Sequence, residues 1–195
     1  EDPEAFINAV ALMEPSFGGI NLEDIKAPEC FIIEAALRER MKIPIMHDDQ
    51  HGTAIISAAG LLNACHLTGR DIRDVKVVVN GAGAAAIACA KLYVALGAKM
   101  DNIVMFDKEG IIRPERDDLD IYKAQFVTMR KINTLAEAME GADVFIGLSA
   151  GNVLAPELVK LMAHDPIIFA LANPDPEIPY AVAMETREDL IMATG

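Results

Sequence analysis

Apolar residues in the first part of the chain recur at the three-to-four spacing of amphipathic helices, over 3–13 and again over 28–40. Each of these helices is followed by a short extended apolar piece, at 19–22 and at 43–46. A long apolar helix is predicted over 52–68. It leads into Val75-Lys76-Val77-Val78-Val79, a β-branched run suited to a strand buried on both faces. Beyond it the pattern becomes regular: a glycine turn, a helix over 84–96, a strand over 103–106, an irregular linker, a helix near 134–140, a strand over 144–146, a helix over 156–162 and a strand over 167–171. Strands alternating with helices require right-handed crossovers, and so imply an α/β fold built on a parallel, doubly wound sheet. The charged stretch from Arg113 to Asp120 reads as a solvated loop.

A chain of 195 residues with 52% hydrophobic content can bury the core of one compact domain, or of one domain plus part of a neighbour. The net charge of −13, with only 17 lysines and arginines, leaves no basic stripe for a phosphate backbone or an anionic membrane surface. It argues against nucleic acid and membrane partners and favours a divalent cation. Cys30, Cys65 and Cys89 lie in apolar helical stretches without close pairing, which suits small core residues in a reducing compartment. The first residues, from Glu1 to Ala5, are acidic and carry no signal-peptide pattern; Asn63, His66 and Lys91 interrupt the most apolar stretches short of a membrane-spanning length. A cytoplasmic protein is expected. Opening on Glu1 and ending at Ala193-Thr194-Gly195, the chain also reads as part of a longer polypeptide.

The turn after the valine strand is Asn80-Gly81-Ala82-Gly83-Ala84-Ala85-Ala86. Gly81 suits a tight turn, Gly83 lets backbone amides approach a pyrophosphate, and Ala86 stands where a third glycine is usual. The following helix would present free N–H groups and its positive dipole end to the phosphates. The next strand runs into Asp107, 24 residues beyond Gly83, where an acid can reach an adenosine ribose. These features together predict a Rossmann-like dinucleotide site. Asp107 favours a ribose hydroxyl, whereas the adjacent Lys108 could neutralise a 2′-phosphate, so NAD and NADP both stay open.

Two acid pairs, Glu23-Asp24 and Asp48-Asp49, follow the two short extended pieces. Ligands of α/β proteins collect at the carboxyl ends of strands, and an all-oxygen set matches Mg²⁺ or Mn²⁺ better than zinc. Adjacent acids near helix starts also serve as caps and surface charge, and spacing alone leaves both readings open. His47 and His51 repeat the spacing of a zinc-protease pair, but Asp48 replaces the glutamate and the place is a strand-to-helix junction, so each reads better as a hydrogen-bonding junction residue. At the end of the last predicted strand, Ala172-Asn173-Pro174-Asp175-Pro176 presents the Asn173 amide, and Ser149 occupies the corresponding end of the strand before it. Both can contact a cofactor or substrate, or can simply be turn residues.

Four segments together, Asn21-Leu22-Glu23-Asp24-Ile25, His47-Asp48-Asp49-Gln50-His51-Gly52-Thr53-Ala54, Gly81-Ala82-Gly83 and Ala172-Asn173-Pro174-Asp175-Pro176, resemble the bacterial malic enzymes in order and spacing. The resemblance implies a divalent metal held by Glu23, Asp24 and Asp49, with Asp48 in a catalytic hydrogen-bond network and Asn173 touching cofactor and substrate. It implies Gly81, Ala82, Gly83, Ala84, Ala85, Asp107 and Ser149 on the NAD(P) side. On this reading 1–70 is a metal- and substrate-side segment and 71–195 the dinucleotide half of the same domain. The family's reaction oxidises malate by hydride transfer to a nicotinamide, decarboxylates oxaloacetate with metal assistance to enolpyruvate, and tautomerises this to pyruvate. Its tyrosine and lysine acid–base pair belongs to a segment that would precede Glu1, and Lys26, Tyr93 and Tyr180 are wrongly placed to replace it. A second substrate asparagine would lie beyond Gly195. The resemblance therefore implies an incomplete active site, inactive alone, from an enzyme that is a homo-oligomer when whole. A noncatalytic dinucleotide-binding module and an unrelated metal-dependent dehydrogenase are the competing readings.

Overall fold

In a computed structural model, which describes residues 2–195 and so leaves Glu1 of the acidic start outside, the chain begins with a small packed unit. It contains α1 (Pro3–Ala11), β1 (Ile20–Leu22), α2 (Glu29–Arg40) and β2 (Ile45–His47). Asp2 caps α1 by accepting the Glu4 N–H at 2.9 Å. β1 and β2 pair in parallel, with Leu22 opposite His47. Ile7, Val10, Leu22, Ile33, Leu37 and Ile45 form its apolar centre. Parallel pairing brings the carboxyl ends of both strands, and therefore both acid pairs, to the same side.

A five-residue π-turn, Asp48–Gly52, joins β2 to α3 (Thr53–Thr68), which stops where Gly69 takes a left-handed φ of 67°. Then come β3 (Val77–Asn80), α4 (Ala84–Ala95), β4 (Ile103–Asp107), β5 (Gly110–Ile111), α5 (Leu135–Met139), β6 (Val144–Gly147), α6 (Pro156–Val159), β7 (Ile167–Ala170), α7 (Tyr180–Thr186) and β8 (Ile191–Thr194). The six-stranded sheet has the order β5-β4-β3-β6-β7-β8, parallel throughout except for the β4–β5 hairpin.

Alternate strand residues point to opposite faces, and both faces are covered. Val77, Val79, Met105, Ile146 and Phe169 pack under α3 and α4, with Leu61, Ala86 and Tyr93. Val78, Val104, Phe145 and Ile168 pack on the other side against Met139, Val159 and Ala183. This is the doubly wound α/β architecture expected from the alternation. α3, which lies within the stretch expected to serve the metal side, packs on the large sheet. Cys30, Cys65 and Cys89 are free and buried, as core residues. Among the described residues no helix is long and apolar enough to cross a membrane.

Three elements have no counterpart in the sequence pattern: β5, α7 and β8. β5 is a two-residue edge strand, too short to show alternation. α7 occupies seven residues behind a proline, and β8 is an edge strand whose residues are half-buried or exposed, so neither shows a clear apolar period.

Candidate dinucleotide and metal site

The chain leaves β3 to build β4 on one side and later returns to build β6 on the other, which opens a crevice at the carboxyl end of β3. The glycine turn fills that place. Gly81 has φ +127°, and a Cβ there would overlap the Leu148 carbonyl oxygen, so glycine is required both by conformation and by the approach of the β6 loop. The Leu148 N–H donates to the Asn80 carbonyl at 2.8 Å, and Asn80 Nδ2 donates to Ser149 Oγ at 3.1 Å, tying the two loops together.

Gly83 differs from Gly81. It is exposed, its φ of −82° suits any residue, and a Cβ there would meet nothing within 4 Å. The fold leaves this space free beside the start of α4, where Ala84 and Ala85 are only partly covered. A twelve-residue helix opening on exposed backbone with no side-chain cap offers an anion its N–H groups and dipole.

Gly81, Ala82, Gly83, Asp107 and Ser149 line one cleft of about 630 Å³. Ala27 and Pro28, just beyond the first acid pair, form part of its wall, which links the small unit to the glycine turn. Asn173 is exposed at the end of β7 and lines a neighbouring groove with Thr53, Gly60 and Phe169. It does not line the first cleft.

A buried carboxylate missed by sequence reasoning organises these strand ends. Glu177 is fully buried; its Oε1 accepts the Ser149 N–H at 3.0 Å and its Oε2 accepts the Ala172 N–H at 3.1 Å. Gly147 makes room for it, since a Cβ there would overlap the carboxyl group. Its only signal in the sequence is an acid following Asn173-Pro174-Asp175-Pro176, in a segment that otherwise reads as a surface turn.

β4 ends at Asp107, as expected, but the carboxylate is already engaged. Arg116 donates to both oxygens, at 2.7 and 2.9 Å, and Lys123 donates at 2.9 Å. Burial pushes the Asp107 carboxyl up, yet these donors outweigh it and hold the group down at about 2. The 113–120 stretch is indeed a loop, but Arg116 within it is not solvated: its side chain is 15% exposed and folds back onto Asp107.

The two acid turns meet directly. The Asp24 N–H donates to Asp49 Oδ2 at 2.8 Å, from a residue held in the left-handed region at φ 57°. Glu23 accepts from Asn21 Nδ2 at 2.7 Å, and Asp48 is exposed at the start of the π-turn. A Cβ at Gly52 would meet the Asp48 carboxylate, which would have to turn aside. Glu34, buried on α2, anchors the same turn by pairing with His51 Nε2 at 2.8 Å and Arg38 at 2.9 Å. His51 is thus the junction residue expected. His47 is fully buried with neither ring nitrogen hydrogen-bonded, its Nδ1 3.9 Å from Asp49 Oδ2.

Oxygen-only donors on two joined turns, beside an unpartnered buried imidazole, fit a hard divalent cation. The ligand atoms of Glu23, Asp24 and Asp49 are not gathered into one ready-made cluster. Among the described residues, the group whose ligand atoms lie within 4.8 Å of one another is His164, Asp165 and Asp189. These flank the amino ends of β7 and β8, at the opposite end of the sheet from the cleft.

A glycine turn at the switch point of a doubly wound sheet, with an open helix start beneath it, defines a Rossmann-like dinucleotide-binding domain. The sequence profile described as "Malic enzyme, NAD binding domain" matches residues 50–195, and the chain belongs to the malic enzyme family. It is 56% identical over its whole length to the NADP-dependent malic enzyme of Halomonas elongata, of which it spans 46%. It is 52% identical over 98% of its length to the NAD-dependent malic enzyme of Rhizobium meliloti, covering 25% of that protein. The crystal structure of the NAD-dependent malic enzyme from Thermotoga maritima superposes on the entire chain with a TM-score of 0.92 at 47% identity, the match covering 52% of that structure. The chain therefore spans about half, or less, of the relatives it matches.

Proposed function

We propose that the chain forms the dinucleotide-binding and metal-holding part of an enzyme that oxidises and decarboxylates malate to pyruvate and carbon dioxide while reducing NAD or NADP. Within it, 71–195 holds the dinucleotide and 1–70 brings the acid turns to the substrate side. Gly81, Ala82, Gly83 and the first amides of α4, at Ala84 and Ala85, receive the pyrophosphate. Ser149 and Asn173, at the ends of adjacent strands, serve the nicotinamide and substrate end, and Glu177 fixes the backbone on which both are carried. Glu23, Asp24 and Asp49 would hold Mg²⁺ or Mn²⁺. Such a cation would supply positive charge where negative charge builds on the substrate oxygens. Asp48, exposed beside Asp49, takes part in the proton network around the substrate.

The observation that carries this reading is the bond from the Asp24 N–H to Asp49 Oδ2, which joins two acid turns from separate strands beside the dinucleotide cleft. A noncatalytic dinucleotide module has no need of that junction. In the whole protein, Asp49→Asn is expected to abolish Mn²⁺ binding measured by calorimetry while dinucleotide binding stays within about twofold. Equal Mn²⁺ affinity in variant and parent contradicts the assignment.

A further inference from the structure

The turn that carries Asp48 and Asp49 settles its inward polar side chains on one buried acid. Gln50 Nε2 donates to Glu34 Oε2 at 3.4 Å, and His51 Nε2 pairs with Glu34 Oε1 at 2.8 Å. His47 is the exception: it is fully buried, and neither of its ring nitrogens has a hydrogen-bond partner. An imidazole always carries at least one N–H, and burying that donor unpaired forfeits its hydration for nothing in return. Such a group calls for an acceptor that comes into place when the site is at work.

The acceptor is within reach. β2 ends on His47, and its parallel pairing with β1 sets His47 opposite Leu22, directly before the first acid pair. Asp49 Oδ2 lies 3.9 Å from His47 Nδ1, about 1 Å beyond a hydrogen bond. The same oxygen already accepts the Asp24 N–H at 2.8 Å and has a second lone pair to offer. The Asp49 side chain is 44% exposed, so its outer side has room to turn and close the gap. Among the described residues no donor bonds Oδ1, the oxygen left over. A hard cation takes oxygen ligands in preference to imidazole, so the ring serves the ligand and not the ion.

We propose that His47 is a positioning residue for Asp49: its Nδ1–H is the second donor to Asp49 Oδ2, and with the Asp24 N–H it fixes the carboxylate so that Oδ1 is presented to the cation. Carboxylates that hold metals are ordinarily oriented in this way by donors behind them. The inference rests on the metal reading above and adds to it the group that aims one ligand.

The test is calorimetric titration of the whole protein with Mn²⁺ alone, beside thermal unfolding without metal. His47→Leu removes a buried donor that has no partner in the metal-free protein, so it should melt within a few degrees of the parent. It should nevertheless bind Mn²⁺ about tenfold to a hundredfold more weakly. His47→Asn places an amide nitrogen at the same distance from the backbone as Nδ1, and should bind within about threefold of the parent. A merely structural role would move the melting temperature and would not be rescued by asparagine. Mn²⁺ affinity of His47→Leu within about twofold of the parent, or equal weakening in the two variants, would overturn the proposal. The parent itself supplies a reading that needs no variant: with saturating Mg²⁺, nitrogen NMR of the His47 ring should show the proton on Nδ1. A ring protonated at Nε2 only would overturn the proposal while leaving the metal site standing. Failure of the parent to bind either cation would overturn the metal reading itself.

Discussion

Glu177 accepts the backbone N–H of Ser149 at 3.0 Å through one carboxylate oxygen, and with the other it holds the N–H of Ala172 at 3.1 Å. One fully buried acid thereby joins the carboxyl ends of β6 and β7, and two of the residues assigned to the cofactor and substrate hang from that joint. Glu177→Gln keeps the shape but turns an amide NH₂ toward one of the two N–H groups, leaving a buried donor unsatisfied. The expected cost is about 1–3 kcal/mol of unfolding free energy, read as a lower urea denaturation midpoint. The Ser149 or Ala172 amide should also exchange hydrogen faster in the native state. Unchanged protection of both amides would show that Glu177 does not hold these strand ends.

The two glycines of the cofactor turn should separate fold from function. Gly81→Ala forces a side chain at φ +127° against the Leu148 carbonyl, and a large loss of stability is expected in thermal unfolding. At Gly83 a methyl group meets no protein atom within 4 Å, so Gly83→Ala should melt within a few degrees of the parent yet bind dinucleotide at least tenfold more weakly. Full binding by Gly83→Ala would remove the pyrophosphate from this turn.

The Asp107 cluster sets an acid limit. Burial alone would raise this carboxyl, but Arg116 and Lys123 bring it to about 2, below the ~3.9 of an unfolded aspartate. A carboxyl depressed on folding contributes stability that is complete above the unfolded value and is lost as pH falls toward the folded one. Denaturation series between about pH 4 and pH 2 should therefore show stability falling with acidity more steeply in the parent than in Asp107→Asn. Parallel slopes in the two proteins would contradict the ion-pair geometry.

How much of this was legible in the sequence depended on the range of the interaction. The strand predicted over 75–79 and found at 77–80, the Gly81 turn and the helix behind it announce themselves through composition and turn chemistry, and the alternation that follows implies the parallel sheet. That the Glu23-Asp24 and Asp48-Asp49 turns meet was not readable from spacing, because it depends on the parallel pairing of β1 with β2. Glu34 and Glu177 carry no local signal of burial, since burial of a carboxylate is decided by partners 17 and 28 residues away. Arg116 shows the same limit from the other side: a charge-rich stretch reads as solvated until the fold reveals a buried acid within its reach.

The proposal that this chain forms part of the active site of a decarboxylating malate oxidoreductase is tested most directly by product stoichiometry. With Mn²⁺ and malate, the whole protein should form one pyruvate for each dinucleotide reduced, and Asp49→Asn should form neither while still binding dinucleotide. Dinucleotide reduction without pyruvate, or full turnover in Asp49→Asn, would contradict the account.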